Sequence, residues 1–201
     1  MVERSVAALI LAGGASARMG QPKALLELDG LSFVEQGVAA VRAGGCARVI
    51  VVDGAHRLDG LALAGVELVH NDRWQLGPLS SVQVGLRRAL ELEPGLAGLL
   101  VHHVERPRVR GQTIAGLLAA SEREPGTLWQ PSVGGRSGHP MLWPGELFDA
   151  LLGLDPARDS ARTLVRGAAA GLRRKLAVDD RGVLDNIDTP ADLARLISEP
   201  A

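Results

Sequence analysis

The sequence predicts an α/β fold in which a mostly parallel central sheet is flanked by helices. Three short, continuous apolar runs carry this prediction: VAALILA at Val6 to Ala12, RVIVVDG at Arg48 to Gly54 and AGLLVHHV at Ala97 to Val104. Runs of this length and composition are typical of strands that are buried on both faces. Segments with apolar residues at helical spacing lie between them, and such alternation is typical of a parallel sheet.

The other elements follow from turn and capping signals. Ser32 and Glu35 resemble a capping box that opens a helix from Phe33 to Arg42, and the Gly44-Gly45 pair ends that helix. Thr189 and Pro190 have the residue types of an N-cap and a first helical position. The remaining predicted elements are a strand at Val66 to His70, helices at Ser80 to Leu92 and Gly111 to Glu122, strands near Thr127 to Pro131 and Ser137 to Trp143, helices near Gly145 to Leu152 and Ser160 to Ala169, a strand around Leu172 to Val178 and a helix from Pro190 to Ile197.

Length and composition predict one cytoplasmic domain covering residues 1–201. A chain of 201 residues with 46% hydrophobic residues buries one full core. The formal net charge is -1 and no block of like charge occurs, so neither nucleic acid nor a membrane is expected as a partner. The single cysteine, Cys46, excludes an internal disulfide and is interpreted as a buried thiol.

A glycine-rich loop directly follows the first predicted strand. Its sequence, LAGGASARMGQPKALL, suits a triphosphate, because the glycines let backbone N–H groups approach phosphate oxygens and the cations supply fixed positive charge. Arg18 and Lys23 are interpreted as catalytic, since charge builds on a pyrophosphate leaving group as the bond to the α-phosphorus breaks. The residues predicted to bind the nucleotide in this loop are Gly13, Gly14, Ser16, Arg18 and Lys23.

Three familiar glycine motifs do not describe this loop. Gly14 and Gly20 are too far apart for a Walker A loop and no Lys-Ser or Lys-Thr follows them, and the dinucleotide pattern G-x-G-x-x-G is absent. The serine-hydrolase pattern G-x-S-x-G fails because Arg18 stands in place of its last glycine. Ser16 is therefore interpreted as a ligand and not as a nucleophile.

The loop instead resembles the signature of the MobA/MocA-like nucleotidyltransferases, which include molybdenum cofactor cytidylyltransferases and guanylyltransferases. Their usual pattern is LAAG or LAGG, then x-S-x-R-M-G and x-P-K. Four further segments resemble the family in the family's order: NDRWQLGPLSSVQVGL from Asn71, VERP from Val104, GGRSGHPMLW from Gly134 and DNIDTPADL from Asp185. The resemblance implies a Rossmann-like nucleotidyltransferase fold, as in nucleotide-diphospho-sugar transferases.

The resemblance also implies a Mg2+-dependent nucleotidyltransferase. The expected reaction transfers a nucleoside monophosphate from an NTP, with CTP favoured over GTP, to a phosphorylated acceptor such as molybdopterin, and releases pyrophosphate. The N-terminal half is expected to bind the NTP and the C-terminal half the acceptor, in a monomer or weak homodimer. By resemblance, the nucleotide site also includes Leu11, Ala12, Gly77, Ser80 and Ser81, and the acceptor site includes Gly138, His139 and Pro140.

The metal site is expected at the end of the third apolar run and in the DNIDTP segment. The family normally has an aspartate where this sequence has Glu105, whose carboxylate is still an oxygen ligand for a hard cation. Asn186 and Asp188 are the other predicted ligands, and the alternative for Asp188 is a role in capping the last helix. The departure at Glu105 leaves open a nucleotide-binding protein without catalysis. Transfer to a sugar or polyol phosphate is a further alternative.

No general base is required for a phosphate acceptor, which is mostly dianionic at pH 7 because its second pKa is about 6. A hydroxyl acceptor would need one, and His102, His103 and His139 are the available imidazoles. His102 and His103 are adjacent on a strand, so they are expected to point to opposite faces of the sheet.

Overall fold

The computed structural model describes residues 5–167 and 169–199 of the chain. The strands in this part are β1 (Val6–Leu11), β2 (Glu27–Leu28), β3 (Leu31–Ser32), β4 (Arg48–Asp53), β5 (Glu67–His70), β6 (Gly98–His103), β7 (Leu128–Val133), β8 (Arg136–Ser137), β9 (Met141–Pro144) and β10 (Arg173–Ala177). The α-helices are α1 (Phe33–Ala43), α2 (Pro78–Leu92), α3 (Gly111–Arg123), α4 (Phe148–Gly153), α5 (Ala161–Arg166) and α6 (Pro190–Ser198). Short 3-10 turns lie at Lys23–Leu25, Trp74–Leu76, Gly145–Leu147, Ala170–Leu172 and Arg181–Leu184.

One mostly parallel sheet organises the described residues. Its strand order is β10-β7-β9-β6-β1-β4-β5, and β8 pairs with β7. The first strand, β1, pairs in parallel with both β4 and β6, whereas β9 runs antiparallel to both β6 and β7. The predicted α/β class with a mostly parallel sheet is therefore confirmed.

Helices cover both faces of this sheet, and the side chains of each strand alternate between them. On β1, Ala8 and Ile10 belong to the apolar cluster that includes residues of α1 and α3, whereas Ala7 and Leu9 belong to the cluster of α2, α4 and α5. The period of two along a strand produces this division. The sheet is thus buried on both faces, and its carboxyl-terminal edge carries the loops that follow β1, β4 and β6.

Several local predictions are confirmed. The helix predicted from Phe33 begins there, and its capping box is formed by Ser32 and Glu35. The last helix begins at Pro190, and Thr189 accepts a hydrogen bond from the backbone N–H of Asp192. Cys46 is buried, and burial raises the pKa of its thiol to about 12.

The strand predicted from Ser137 to Trp143 is wrong, because the chain divides it into β8 and β9. Between them, the N–H of Gly138 donates to the carbonyl of Pro131 and the N–H of His139 donates to the carbonyl of Val183. Pro140 follows with no N–H to donate. The segment therefore turns away from the sheet before it re-enters beside β6.

Two predicted helices are shorter than expected, and one hairpin was not predicted. The helix expected at Ser160 to Ala169 ends at Arg166 before Gly167, and residue 168 of that expected range lies outside the described residues. The helix expected from Gly145 begins as a 3-10 turn and becomes α-helical at Phe148. The hairpin of β2 and β3 turns at Asp29 and Gly30, which have φ of 54° and 81°, as the Asp-Gly signal for a two-residue turn requires.

None of the helices in the described ranges has the length and apolar character needed to cross a membrane.

The imidazole of His102 is buried in the sheet without a polar partner. It is fully buried on the α1 side, where its ring packs against Gly37, and neither ring nitrogen has a hydrogen-bond partner among residues 5–167 and 169–199. Burial lowers the pKa of His102 to about 3, so the ring is neutral in the folded protein at pH 7.

We expect His102→Met to flatten the acid dependence of stability. Because the folded-state pKa of His102 lies below the ordinary histidine value of 6.5, the stability that depends on its neutral ring is present above about pH 6.5 and is lost as pH falls towards 3. This loss amounts to at most about 1.4 kcal/mol per pH unit. Chemical denaturation between pH 8 and pH 4 measures it, and an equal slope in wild type and variant would contradict the prediction.

Candidate active site

The hydroxyl and backbone of Ser16 organise the glycine-rich loop after β1. Ser16 has a φ of 54°, and its carbonyl accepts hydrogen bonds from the N–H groups of Met19 and Gly20 at 2.9 and 3.2 Å. Its hydroxyl accepts one from the backbone N–H of Lys23 at 3.0 Å. The loop therefore closes on itself and brings Lys23 back beside its start.

The two glycines at the start of the loop lie in different surroundings. A Cβ on Gly13 would lie 3.1 Å from the carbonyl oxygen of Asp53, so the absence of a side chain lets this loop pack against the end of β4. A Cβ on Gly14 would meet nothing within 4 Å, and Gly14 is exposed. Gly13 thus serves packing, while the open side of Gly14 leaves the backbone accessible to a ligand.

Asp188 is the point at which the two predicted phosphate-binding cations meet. Lys23 Nζ forms an ion pair with Asp188 Oδ1, and an Arg18 guanidinium nitrogen lies 3.0 Å from Asp188 Oδ2. Asn186 Nδ2 donates to the same Oδ2 at 2.5 Å. Burial opposes ionisation of Asp188, but the hydrogen bond and charge of Lys23, with Asn186 and Arg18, lower its pKa below the usual value.

A backbone hydrogen bond brings Glu105 to the same place. The N–H of Ile187 donates to the carbonyl of Glu105 at 3.1 Å, so the segment after β6 lies against the segment that carries Asp188. Glu105 Oε1 is 3.4 Å from His103 Nδ1. Burial raises the pKa of Glu105, but the hydrogen bond and charge of His103, together with Lys23, lower it to about 2.

The donor set fits a magnesium ion that also binds substrate phosphates. No group of three or more His, Cys, Asp or Glu side chains in the described part of the chain is placed to hold a metal by itself. Glu105 and Asp188 are nevertheless two ionised carboxylates on adjoining segments, beside the loop that suits a triphosphate. Mg2+ is commonly held by one or two carboxylates and completed by phosphates and water.

The segment before α2 is fixed by buried polar contacts. Asn71 Nδ2 donates to the hydroxyls of Ser80 and Ser81 at 2.8 and 2.9 Å, and the Ser80 hydroxyl donates to the carbonyl of Gly77 at 2.8 Å. Gly77 has a φ of 90°, which favours glycine. The hydroxyls of Ser80 and Ser81 are buried against partners within the protein. Contacts of the nucleotide with Gly77, Ser80 and Ser81 therefore stay predictions.

The predicted acceptor residues Gly138, His139 and Pro140 form the turn between β8 and β9. Gly138 packs so closely on the Arg181–Leu184 turn that a Cβ would lie 2.2 Å from the carbonyl oxygen of Val183. The next residue, His139, precedes the cis proline Pro140, and its ring lies edge-on to His103 with centroids 4.5 Å apart. Burial, with the charges of His103 and Arg106, lowers the pKa of His139 to about 2.

A cavity of about 610 Å3 opens between the turn that joins β8 to β9 and the helices α2 and α5, which cover the same face of the sheet. His103 and His139 line it, and so do four arginines that the sequence analysis did not single out: Arg106, Arg162, Arg166 and Arg173. These four come from the segment after β6, from α5 and from β10. No single stretch of sequence contains them, so only the fold brings them together.

One carboxylate and two tryptophans near the site have structural roles. Asp53 accepts a hydrogen bond from the Leu58 N–H at 2.9 Å and pairs with His70 Nδ1 at 2.5 Å, which supports a structural role in the turn after β4. Trp143 lines the cavity while also belonging to the core, whereas Trp129 packs on the opposite face of the sheet.

The fold, which carries a lysine and an arginine around Asp188 at the carboxyl edge of the sheet, is that of the nucleotidyltransferases. The chain belongs to the family of the MobA-like NTP transferase domain, whose sequence model matches residues 8–176.

Known proteins similar to the chain carry more than one function name. "Nicotine blue oxidoreductase" from Paenarthrobacter nicotinovorans is 31% identical, with 96% of each chain covered. "Molybdenum cofactor guanylyltransferase" from Xanthomonas euvesicatoria pv. vesicatoria is 28% identical, with 98% of this chain and 97% of the relative covered. The crystal structure of Rv0371c from Mycobacterium tuberculosis H37Rv has a TM-score of 0.82 at 25% identity and covers 97% of this chain and 98% of its own. A complex of Rv0371c with manganese has a TM-score of 0.71 at 23% identity, with 98% and 100% covered.

We expect Gly138→Ala to destabilise the fold by about 1–3 kcal/mol, because the added Cβ is forced against the Val183 carbonyl and the turn must move. Gly171→Ala is the matched control, since a Cβ there meets nothing within 4 Å. Denaturant unfolding of both variants checks the prediction. Equal stability of the two variants would contradict it.

Proposed function

We propose that the protein transfers a nucleoside monophosphate from an NTP to a phosphorylated acceptor and releases pyrophosphate, with Mg2+ as cofactor. The observation that carries the proposal is the meeting of Lys23 and Arg18 with Asp188 beside Glu105, at the edge of the arginine-lined cavity. Membership of the MobA-like NTP transferase family supports the reaction class. The manganese complex of Rv0371c supports a divalent cation.

In this proposal Lys23 and Arg18 bind the triphosphate and neutralise the charge that develops on the leaving pyrophosphate. Glu105 and Asp188, with Asn186 beside them, hold the cation, which when bound supplies Lewis-acid neutralisation of the phosphates. Backbone N–H groups around Gly13 and Gly14 complete the phosphate cradle. Alignment and charge neutralisation are then the main sources of rate.

The acceptor is proposed to attack from the side of the Gly138-His139-Pro140 loop. Its phosphate oxygen is already anionic at pH 7, so the reaction needs no base. His139, with its lowered pKa of about 2, is neutral there and acts as a wall or a hydrogen-bonding group. Arg106, which also lines the cavity, supplies positive charge to the incoming phosphate.

The donor nucleotide is proposed to be CTP on the motif resemblance, with GTP as the competing donor because several relatives are named guanylyltransferases. An oxidoreductase is a second candidate function, supported by the relative named "Nicotine blue oxidoreductase" at 31% identity. The absence of a G-x-G-x-x-G motif from the sequence counts against a dinucleotide cofactor. Nucleotidyl transfer therefore takes precedence.

A thermal-shift titration tests donor binding in the wild-type protein. We expect the melting midpoint to rise with CTP or GTP in the presence of Mg2+, because a ligand that binds only the folded state stabilises it. ATP, UTP, NADH and NADPH are the comparison ligands. A shift with a reduced nicotinamide dinucleotide and none with any NTP would favour the oxidoreductase.

Lys23→Met is expected to lower the rate of pyrophosphate release at least about a hundredfold, because it removes a donor aimed at the leaving group. The matched control is Lys175→Met. It removes a lysine of β10 that donates a hydrogen bond to the carbonyl of Gly135. The assay uses the NTP identified by the titration and a phosphorylated acceptor. A Lys23→Met enzyme as fast as the control would refute the proposed role.

Glu105→Asp separates a working site from a non-catalytic homologue. The Glu105 carboxylate is placed beside His103, and shortening it by one methylene moves the charge by about 1 Å, which can cost about a hundredfold in rate. We therefore expect turnover to fall. A large gain in turnover would instead indicate that glutamate degrades the metal site, and no turnover in either protein would favour nucleotide binding without catalysis.

A further inference from the structure

The cavity runs across four strands of the sheet. On the face that carries α2, α4 and α5, its floor includes Val101 and His103 of β6, Met141 of β9, Gln130 of β7 and Arg173 of β10. Val101 pairs with Met141, and the register of β7 with β9 places Gln130 next in the row. The cavity is therefore elongated across the strands and does not point into the core.

The distance along this row follows from strand spacing. β6 and β7 are two strand positions apart in the sheet order, and the Arg173 side chain reaches back from β10 to β7, where its Nε donates to Gln130 Oε1. Neighbouring strands lie about 4.8 Å apart, so the Arg173 guanidinium lies roughly 10 Å from β6. One end, at His103 and Arg106, adjoins Glu105 and the proposed reaction centre, whereas Arg173 lies at the other end.

Positive charge is present at both ends of the cavity. None of Arg106, Arg162, Arg166 and Arg173 forms an ion pair with a residue in the described ranges, and the lining contains one carboxylate, Asp159. Arg162 and Arg166 are four residues apart on α5, so they share one face of that helix. The cavity therefore favours a ligand with several negative charges.

Neutral partners hold the arginines at the two ends in place. Arg173 donates from Nε to Gln130 Oε1 at 3.0 Å and from a terminal nitrogen to the Ser137 hydroxyl at 2.9 Å. Arg106 donates to the carbonyl oxygens of Val183 and Asp185, and its buried Nε has no partner among the residues that the structure describes. Both guanidiniums are thus oriented without an ion pair among the described residues, although the charges of Glu105, Asp185 and Asp188 act on Arg106.

The middle of the cavity is apolar. Met141 and Trp143 of β9 lie between the two charged ends, and Leu79 and Val82 face the cavity from α2. Such a wall favours a hydrocarbon or flat ring body over a strongly hydrated one.

We propose that the acceptor is a bipolar anion: a phosphate near Arg106 attacks the nucleotide, and a second anionic group about 10 Å away binds Arg173 with Arg162 and Arg166. An apolar or planar body joins the two groups. This inference rests on the proposed function for its attacking end, whereas the distal anion site follows from the cavity alone. In this proposal, β10 and α5 are the elements that select the acceptor.

The test uses alkane-1,ω-diol bisphosphates and the corresponding alkyl monophosphates as probes, with affinity measured by calorimetry at low salt. We expect a bisphosphate long enough to span the cavity to bind at least about tenfold more tightly than its monophosphate, because a second charged guanidinium contact is made. Arg173→Gln should remove this advantage. Arg174→Gln, which removes the neighbouring charge that pairs with Glu124 outside the cavity lining, should retain it.

Short bisphosphates that cannot reach both ends are the control for charge alone, and they should show no such advantage. If Arg173→Gln does not fold, Arg162→Gln/Arg166→Gln replaces two exposed residues and should reduce the advantage instead. Equal affinity of long bisphosphates and monophosphates would overturn the proposal. So would equal affinity of short and long bisphosphates, or an advantage that survives the arginine variants.

The same proteins are titrated with NTP and Mg2+, so that the two proposals fail separately. An arginine-dependent bisphosphate advantage without any NTP binding would remove the proposed transferase function and keep the distal anion site. NTP binding that Arg173→Gln leaves intact, with no bisphosphate advantage in wild type, would keep the transferase function and remove the bipolar acceptor.

Discussion

The ion pair of Lys23 with Asp188 is the interaction on which the arrangement of the site depends, because it joins segments that are 165 residues apart in the chain. Ser16 brings Lys23 back to the start of its own loop, and the bond from Ile187 to Glu105 brings the Asp188 segment to the end of β6. The loop after β1 and the segment before α6 therefore close over the carboxyl edge of the sheet. Without that closure, the cations of the first loop and the carboxylates of the later segments would belong to separate surfaces.

The same ion pair determines how charge is distributed before a ligand arrives. Lys23 and Arg18 both pair with one carboxylate, so under the proposed function a triphosphate would replace Asp188 as the partner of these cations. A divalent ion at Asp188 and Glu105 would free those cations, so metal and nucleotide would each favour the binding of the other. Such coupling is reciprocal. The exposed Arg18 contributes little by itself to stability, since its side chain is 71% exposed and screened by solvent.

The sequence predicted the class of fold and the parts of the site that lie in continuous motifs. Buried parallel strands such as β1 and β4 show as short apolar runs, and the capping box at Ser32 and Glu35 is a local signal that packing did not override. The break between β8 and β9 was not predicted, because it depends on the carbonyl of Val183, which lies far along the chain. The four cavity arginines were missed for the same reason. Arg162, Arg166 and Arg173 look like ordinary surface residues until tertiary contacts align α5 with β10.

The reversed direction of β9 has a consequence for how such a site diversifies. β9 lies as an antiparallel strand between β6 and β7. The end of the cavity at β6 is therefore one strand further from its distal end than it would be if β6 paired directly with β7. The residues proposed to hold phosphate come from the first strand and its loop, whereas the distal wall comes from the last third of the chain. Under the proposed function, substitutions on β10 and α5 would therefore exchange one acceptor for another while the chemistry beside β1 is inherited unchanged.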